Sequence, residues 1–559
     1  MASTKKPAEA HREQPFYTRA QQLEKTPPCQ AECPNSGNVR GWLGLIAQRD
    51  KLGLTLEEAY DKAWLELADR NPFPATIGRI CPHPCERLCT RDAKDGAVSI
   101  NAMERFIGDW GIERELPLPR LGEDKYAESI GVIGSGPAGL SFAYQMARRG
   151  YPVTVYEKDE LPGGMLRHAI PDYRLPRTIL DAEVERIFTM GVELKTGVEP
   201  GRDIPMQELQ QSHRILFLGM GAQGARPLNI PGESGPGVLP GIVYLTKRKI
   251  GVANLVGRKV VVIGGGNTAM DAARSARRDG AEVTLLYRRS ETEMPAEKME
   301  VEDAKTEGVN FTFLASPIEI MRKEGVVAGL EYQCMELGDP DEQGRRRPVP
   351  VDGQTRRIQA DTVLVAVSQE PGWEGLGVRG EGQKWLVTER DGQLADDIWA
   401  GGDDTGPGIA SRAIAQGRLA AESVDAALRG KPHPQSLASP AAIKTHRVKK
   451  EYYAEAQRGT KPRLPSEAWL AGADVEIDQT MSSEQAVAEA ARCMSCGLCF
   501  DCHQCIMYCN ARGFTALPEQ QPGQYFALAL ELCEGCGKCI ELCPCGYLDA
   551  REGSPWGLD

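Results

Sequence analysis

No apolar run in this 559-residue chain approaches 18 residues. That excludes a membrane-spanning helix of ordinary length. The first residues, Met1 to Glu13, are polar and charged and contain no apolar stretch of the kind a secretory signal needs. Positive charge is also in deficit: the net charge of −12 argues against nucleic-acid binding. No repeat longer than a short cysteine run is visible. Glycine is abundant, at 60 residues, which suits nucleotide-binding turns. The 17 cysteines cluster at metal-ligand spacings, pointing to metal and a cytosolic setting rather than to disulfides. The length accommodates three or four domains.

Eleven cysteines lie at or beyond Cys493, and eight of them form two copies of C-x2-C-x2-C-x3-C. The copies are Cys499, Cys502, Cys505, Cys509 and Cys533, Cys536, Cys539, Cys543. In the bacterial two-cluster ferredoxin run the fourth cysteine ligates the other cluster. The spacing therefore predicts one [4Fe–4S] centre on Cys499, Cys502, Cys505 and Cys543, and a second on Cys533, Cys536, Cys539 and Cys509. A zinc ribbon would leave the third and fourth cysteines of each run idle. Asn510 replaces the proline usual after the first run and removes no ligand.

Two glycine fingerprints lie upstream. In the first, a strand from Ser129 runs into Gly134, Gly136, Pro137, Ala138 and Gly139, followed by a helix (140–149) and a strand (152–156) ending at Glu157. Gly134 permits the tight turn, Gly136 admits a pyrophosphate, and Gly139 lets helix and strand pack closely. Phosphates favour the helix N-terminus, and Glu157, 21 residues after Gly136, is placed to accept from a ribose. The second fingerprint has a strand at 259–263, then Gly264, Gly266, Asn267, Thr268 and Ala269, a helix (270–278) and a strand (282–286). Arg288 and Arg289 replace the acid there. Two guanidiniums suit a 2′-phosphate, which leans toward NADP over NAD, although one or both could be plain surface charges. Two dinucleotide folds suggest FAD in one and a nicotinamide nucleotide in the other. Hydride passage between them needs stacking and orientation but no protein acid or base, so no catalytic nucleophile is assigned.

The chain divides on this reading into a disordered segment (1–15), a helical domain (16–112), a charged linker, an α/β region to about 430, a connector (431–492) and a ferredoxin-like segment (493–559). Within the connector, Lys431 to Asp478 is expected to hold one or two helices.

Several stretches together resemble the glutamate synthase small-subunit family of flavoproteins. They are Asn71-Pro-Phe-Pro-Ala, Gly78-Arg-Ile-Cys81-Pro-His-Pro-Cys85-Glu-Arg-Leu-Cys89, Gly163-Gly-Met-Leu-Arg, Ile170-Pro-Asp-Tyr-Arg-Leu-Pro, Ile230-Pro-Gly-Glu, Gly264-Gly-Gly-Asn-Thr-Ala-Met-Asp, Glu293-Met-Pro-Ala and Ala400-Gly-Gly-Asp403. The resemblance implies a multidomain α/β protein. Its FAD domain is discontinuous (125–240 and 355–430), with an NAD(P) domain (241–354) inserted. It implies cofactor contacts at Gly164, Arg174, Gly402 and Asp403, with Asp403 bonded to the ribityl chain, and a helix at 413–421 aimed at the flavin region.

The family's N-terminal domain carries two [4Fe–4S] clusters, one with three cysteines plus Glu or Gln. By motif, Cys33, Cys81, Cys85 and Glu104 would hold the cluster nearer the flavin. Cys29 and Cys89 are half of another, because the family's upstream C-x2-C is missing from Tyr17–Pro28. Cys493 and Cys496, in Ala-Ala-Arg-Cys-Met-Ser-Cys, resemble that missing segment and are expected to fold back and complete it. This gives four clusters. Two other counts stay open: three clusters, with Cys29 or Cys89 in place of Glu104, or Cys493 and Cys496 binding nothing. Cys334 is expected in the core and Cys545 to be incidental.

The chain thus reads as a converter between nicotinamide hydride and single electrons, ending in a partner, because no glutaminase, FMN-barrel or pyrimidine-reducing region is present. The fused ferredoxin favours the NAD(P) reductase subunit of a thiamine-diphosphate 2-oxoacid:acceptor oxidoreductase. The alternatives are a glutamate synthase small subunit, a free NAD(P)H:ferredoxin oxidoreductase, or a non-catalytic electron scaffold.

Overall fold

A computed structural model describes residues 19–551 apart from 343, 374–375, 378–383, 390, 435–439 and 473. The expected disordered segment 1–15 lies outside the described residues. The N-terminal part is helical, with Val39–Ala47, Leu56–Arg70, Pro74–Ile80 and Ile100–Glu113 as its main elements. Thr55 and Glu58 close a reciprocal capping box at the start of Leu56–Arg70. Trp42, Ile46, Tyr60, Trp64, Phe73 and Ile107 fill the space between the helices. Helix Pro74–Ile80 packs backbone to backbone on Ile100–Glu113. A Cβ at Gly78 would stand 2.3 Å from the Arg105 nitrogen, and one at Gly108 would stand 2.2 Å from that of Ala75. This close approach brings Cys81, at the end of one helix, beside Glu104 on the other.

A six-stranded sheet follows, ordered 393–395, 398–400, 215–218, 130–133, 153–157, 193–196. Its strands pair in parallel except at the 393–395 edge. The second sheet is parallel and five-stranded, ordered 310–313, 282–287, 259–263, 362–365, 238–240. Strands 362–365 and 238–240 fall outside the span 241–354 expected for the nicotinamide domain. That span is therefore too short for its sheet: Thr362–Val365 is a buried apolar strand that pairs with Val260–Ile263. A three-stranded antiparallel sheet (315–323, 326–340, 346–358) is attached to it. Cys334 sits on its middle strand only half-buried, not in the core, since an antiparallel sheet leaves one face toward solvent.

The connector departs from expectation. Among its described residues, 431–478 contains short 3-10 turns and no α-helix. Prolines at 432, 434, 440, 462 and 465 break any helical run. The segment is a strap anchored along its length. Ser99 Oγ donates to the Gly459 carbonyl at 2.5 Å, Arg458 pairs with Glu86, and Arg463 pairs with Asp303 at 2.7 Å. Trp469 packs with Tyr173 and Ile477. Trp469→Ala should cost about 3 kcal/mol of local stability, the usual toll for emptying a buried Trp site. Faster protease cleavage between 440 and 478, with the two sheets intact, would check it.

The two ends of the described chain meet. Arg19–Gln22 pairs antiparallel with Leu548–Arg551, and the buried Lys25 ammonium donates to the Gly546 carbonyl at 2.7 Å and pairs with Asp549 at 2.9 Å. Arg40 Nη1 donates to the carbonyls of Lys25 and Cys496, each at 2.7 Å. The cysteine-rich C-terminal segment is thereby tied to the N-terminal helices. No described helix is long and apolar enough to cross a membrane.

Candidate dinucleotide and iron–sulfur sites

One cavity of about 540 Å³ is lined by both glycine fingerprints. On one side stand Gly134, Gly136, Pro137, Ala138, Glu157, Gly164, Gly402 and Asp403; on the other, Asn267, Thr268 and Asp271. The first turn is built for a close-lying ligand. Gly134 has φ +94°, and a Cβ there would meet the Gly219 carbonyl at 2.4 Å, so only glycine fits. A Cβ on Gly139 would stand 2.0 Å from the Gly134 carbonyl, so strand and helix Pro137–Ala147 touch. Gly136, by contrast, has only the Gly219 oxygen within 4 Å, at 3.8 Å, and opens toward the cavity. Glu157 is buried and accepts from the Ser135 N–H at 2.9 Å and the Asp159 N–H at 3.0 Å. It also accepts from Ser135 Oγ, and so fixes the turn with about one lone-pair site left for a ribose. Burial holds the Asp403 carboxyl above its ordinary range, and Gly408 N–H donates to it at 2.9 Å. This cradle fits an elongated dinucleotide with its pyrophosphate against Gly136.

Beside the second turn, Gly266 has nothing within 4 Å of a Cβ, and helix Asn267–Arg278 starts there. The two arginines separate. Arg289 is buried and bound to Asp341 at 2.9 Å, whereas Arg288 is exposed with no ion pair among the described residues. Arg174 borders the cavity, but its guanidinium spans to Asp271 (2.8 and 2.9 Å) and Glu300 (3.0 Å). It cross-links the 170–176 loop to the second dinucleotide fold.

The cysteines gather into four groups. Burial pushes the Cys81 thiol up to about 12, and the Glu104 carboxylate adds to the rise. Cys85 is raised by burial and by the charges of Glu86, Cys33, Glu104 and Cys81. Burial also holds Glu104 up at about 7, and Asn71 Nδ2 donates to it at 3.0 Å. The second group joins residues more than 400 apart in sequence. Cys29 is raised by burial, then by the neighbouring thiolates of Cys493, Cys496 and Cys89. Burial takes Cys493 to about 11 and Cys496 to about 12, with Cys89 adding to each. In the third group, Cys499 and Cys505 rise to about 12 through burial and the charges of Cys502 and Cys543. In the fourth, Cys539 rises to about 11 through burial, with Cys533, Cys536 and Cys509 contributing. The fourth cysteine of each C-terminal run thus stands with the other run.

Half-buried thiols that repel one another as thiolates need a cation to ionise together. Among the described residues no three or more His, Cys, Asp or Glu converge on a single-ion point.

The groups form a row beginning at the cavity. Ile80 and Pro82, either side of Cys81, line it. Cys33 N–H donates to the Cys29 carbonyl at 3.1 Å, joining the first and second groups through one helical turn. Cys496 and Cys499 are three residues apart, joining the second and third. At the far end Cys536 is exposed. Several residues here gave no signal in sequence. Asp404 is fully buried, its carboxyl pushed up to about 8 by burial, and it accepts from Met220 N–H at 3.1 Å and from Gly221 N–H. It shapes the turn facing Gly134, and its place beside Asp403 is the only hint. Cys545 is buried with its sulfur 3.7 Å from that of Cys543.

The chain matches the family model "Pyridine nucleotide-disulphide oxidoreductase" over residues 128–417, and the model for dihydropyrimidine dehydrogenase domain II, 4Fe-4S cluster, over 9–116. It is 36% identical over 434 residues to the NADP(+)-dependent formate dehydrogenase subunit beta of Moorella thermoacetica, covering 72% of this chain and 60% of that one. It is 38% identical to the NADPH-Fe(3+) oxidoreductase subunit beta of Geobacter sulfurreducens, covering 66% of this chain and 53% of the other. The glutamate synthase [NADPH] small chain of Halomonas elongata is 34% identical, over 71% of this chain and 87% of its own length. The chain thus spans less than two thirds of the first two relatives.

Proposed function

Because the chain belongs to the pyridine nucleotide-disulphide oxidoreductase family and is related to glutamate synthase small chains, we propose that it passes electrons between NADP(H) and a partner subunit through FAD and four [4Fe–4S] clusters. It is an NAD(P)-dependent flavin and iron–sulfur oxidoreductase. The observation that carries the four-cluster reading is the gathering of Cys29, Cys89, Cys493 and Cys496 from opposite ends of the chain. When bound, FAD supplies the exchange between a two-electron hydride and single electrons, which iron–sulfur clusters carry one at a time.

The chain's own part is to bind and align. Gly136 and the N-terminus of helix Pro137–Ala147 receive the FAD pyrophosphate, Glu157 the ribose and Asp403 the ribityl chain. Asn267 and Thr268 open the helix for the nicotinamide nucleotide, in the same cavity. Cys33, Cys81, Cys85 and Glu104 hold the cluster nearest that cavity; Cys29, Cys89, Cys493 and Cys496 the next. The crossed C-terminal sets hold the last two, with Cys536 at the exit. Arg174 serves as a brace between the two dinucleotide folds rather than as a direct cofactor contact.

Arg288 is the residue that meets a 2′-phosphate. Arg288→Ala should raise KM for NADPH roughly 10- to 100-fold, the worth of one charge-assisted bond, and leave NADH kinetics alone. Arg289→Ala should lower stability by removing the 2.9 Å ion pair with Asp341, with a smaller change in KM. Steady-state kinetics with both nucleotides, and thermal melts, check both.

The partner reading rests on the fused ferredoxin segment, which suits a 2-oxoacid:acceptor oxidoreductase with thiamine diphosphate. The names of the relatives favour a second reading, a formate- or glutamate-linked complex. Co-purification from the source organism under anaerobic conditions, with identification of the bound subunits, tests the choice. A thiamine-diphosphate subunit supports the first reading, and a formate dehydrogenase or glutamate synthase subunit overturns it.

A further inference from the structure

Among the described residues two side-chain hydroxyls touch cysteine sulfurs, and both do so at the inner groups. Thr90 Oγ1 lies 3.4 Å from Cys496 Sγ, and Ser411 Oγ lies 3.8 Å from Cys81 Sγ. Both residues are buried, at 7% and 6% exposure, and neither hydroxyl has another described partner. With free thiols the S–H is the donor. Once the sulfur is a metal-bound thiolate it has no proton to give, and the hydroxyl becomes the donor. At the C-terminal groups, among the described residues, no hydroxyl reaches a cysteine sulfur; Cys509 Sγ accepts only from the Gly513 N–H, at 3.3 Å.

Position makes the pair more than incidental. Ser411 is on the first turn of helix Ala410–Arg429, and its neighbours Ile409, Ala410 and Ala413 line the cavity. It therefore stands between the flavin site and the first cysteine group. Thr90 directly follows Cys89, and so belongs to the second group at both ends: by chain to Cys89, by hydrogen bond to Cys496.

A donor to a ligating sulfur stabilises the more negative, reduced form of a cluster and raises its potential. We propose that Ser411 and Thr90 set the potentials of the two inner clusters, Ser411 through Cys81 and Thr90 through Cys496, holding each above the value that its thiolates and burial alone would give. This would bias the first two stations toward accepting an electron from the flavin side. The inference rests on the cluster assignment proposed above.

The test is an EPR redox titration of the anaerobically purified full-length protein carrying Ser411→Ala, Thr90→Val or neither, with iron counted in each sample. Each variant should keep the wild-type iron content and shift one cluster's midpoint downward, by about a tenfold change in its one-electron equilibrium constant, ~59 mV. Ser411→Thr, which restores the hydroxyl, should return the wild-type midpoint. Full iron with unmoved midpoints overturns the inference and leaves the cluster assignment standing. Wild-type protein with far fewer than about sixteen irons per chain overturns the assignment itself. If Ser411→Ala loses iron, Ser411→Thr decides: a wild-type midpoint upholds the role of the hydroxyl, and a midpoint lowered despite it refutes that role.

Discussion

Cys493→Ser should strip about four irons from each chain, one cluster's worth, while flavin content stays at the wild-type level. The substitution lies 464 positions from Cys29, yet the two thiols share one half-buried group with Cys89 and Cys496. Each member of that group loses a partner when one is removed, and a serine hydroxyl, protonated at neutral pH, is a poor replacement for a thiolate ligand. The second group stands between the cavity-side cysteines and the ferredoxin pair. NADPH-driven reduction of a small acceptor at the flavin should therefore persist, while reduction of an acceptor at the far end falls by at least about 10- to 100-fold, the range for losing even an outer-shell partner of a metal ligand. Iron quantification and the two acceptor assays read the two effects separately. Unchanged iron in Cys493→Ser and Cys496→Ser would return the account to three clusters.

Gly136→Val should abolish FAD binding without unfolding the chain. A Cβ at Gly136 has only one atom within 4 Å, at 3.8 Å, so the folded chain has room for it. That room is where a pyrophosphate must approach the backbone, and the two valine methyls would occupy it. A loss of at least about 100-fold in FAD affinity is expected, seen as flavin-free protein that keeps its brown iron–sulfur absorbance. Gly139→Val makes the contrast. Its Cβ would stand 2.0 Å from the Gly134 carbonyl, so strand and helix must part and stability falls together with flavin. If Gly136→Val binds FAD as well as wild type, the cavity is not the flavin site.

Local chemistry was legible in the sequence. The glycine turns, the acid at Glu157 and the cysteine spacings each encode their geometry within a few residues of chain. The return of Cys493 to Cys29 was legible too, but only as ligand bookkeeping: half a set at one end and a spare pair at the other. What carries that return is not written as a motif. The Arg19–Gln22 strand on Leu548–Arg551 and the Arg40 bridge to Lys25 and Cys496 depend on partners hundreds of residues away. The connector misled for a related reason. Its Lys and Glu content suits a helix, but its prolines break helices, and its charges are spent on distant partners such as Glu86 and Asp303. Asp404 and Arg289 show the limit for single residues. Asp404 sits next to a functional candidate and Arg289 is itself one, and only burial and hydrogen bonding reveal that the first shapes a turn and the second is tied to Asp341.

The central claim is a continuous path from the nicotinamide site to the exposed end at Cys536. It is tested most directly by running it backward. Holoprotein whose clusters have been reduced with dithionite, freed of excess reductant, is mixed with NADP+ under anaerobic conditions and followed by EPR and by NADPH absorbance. The account predicts that the iron–sulfur signals collapse as NADPH forms, and that Cys81→Ser blocks both. Signals that persist while NADP+ stays oxidised, or protein that carries zinc and no iron, would contradict it.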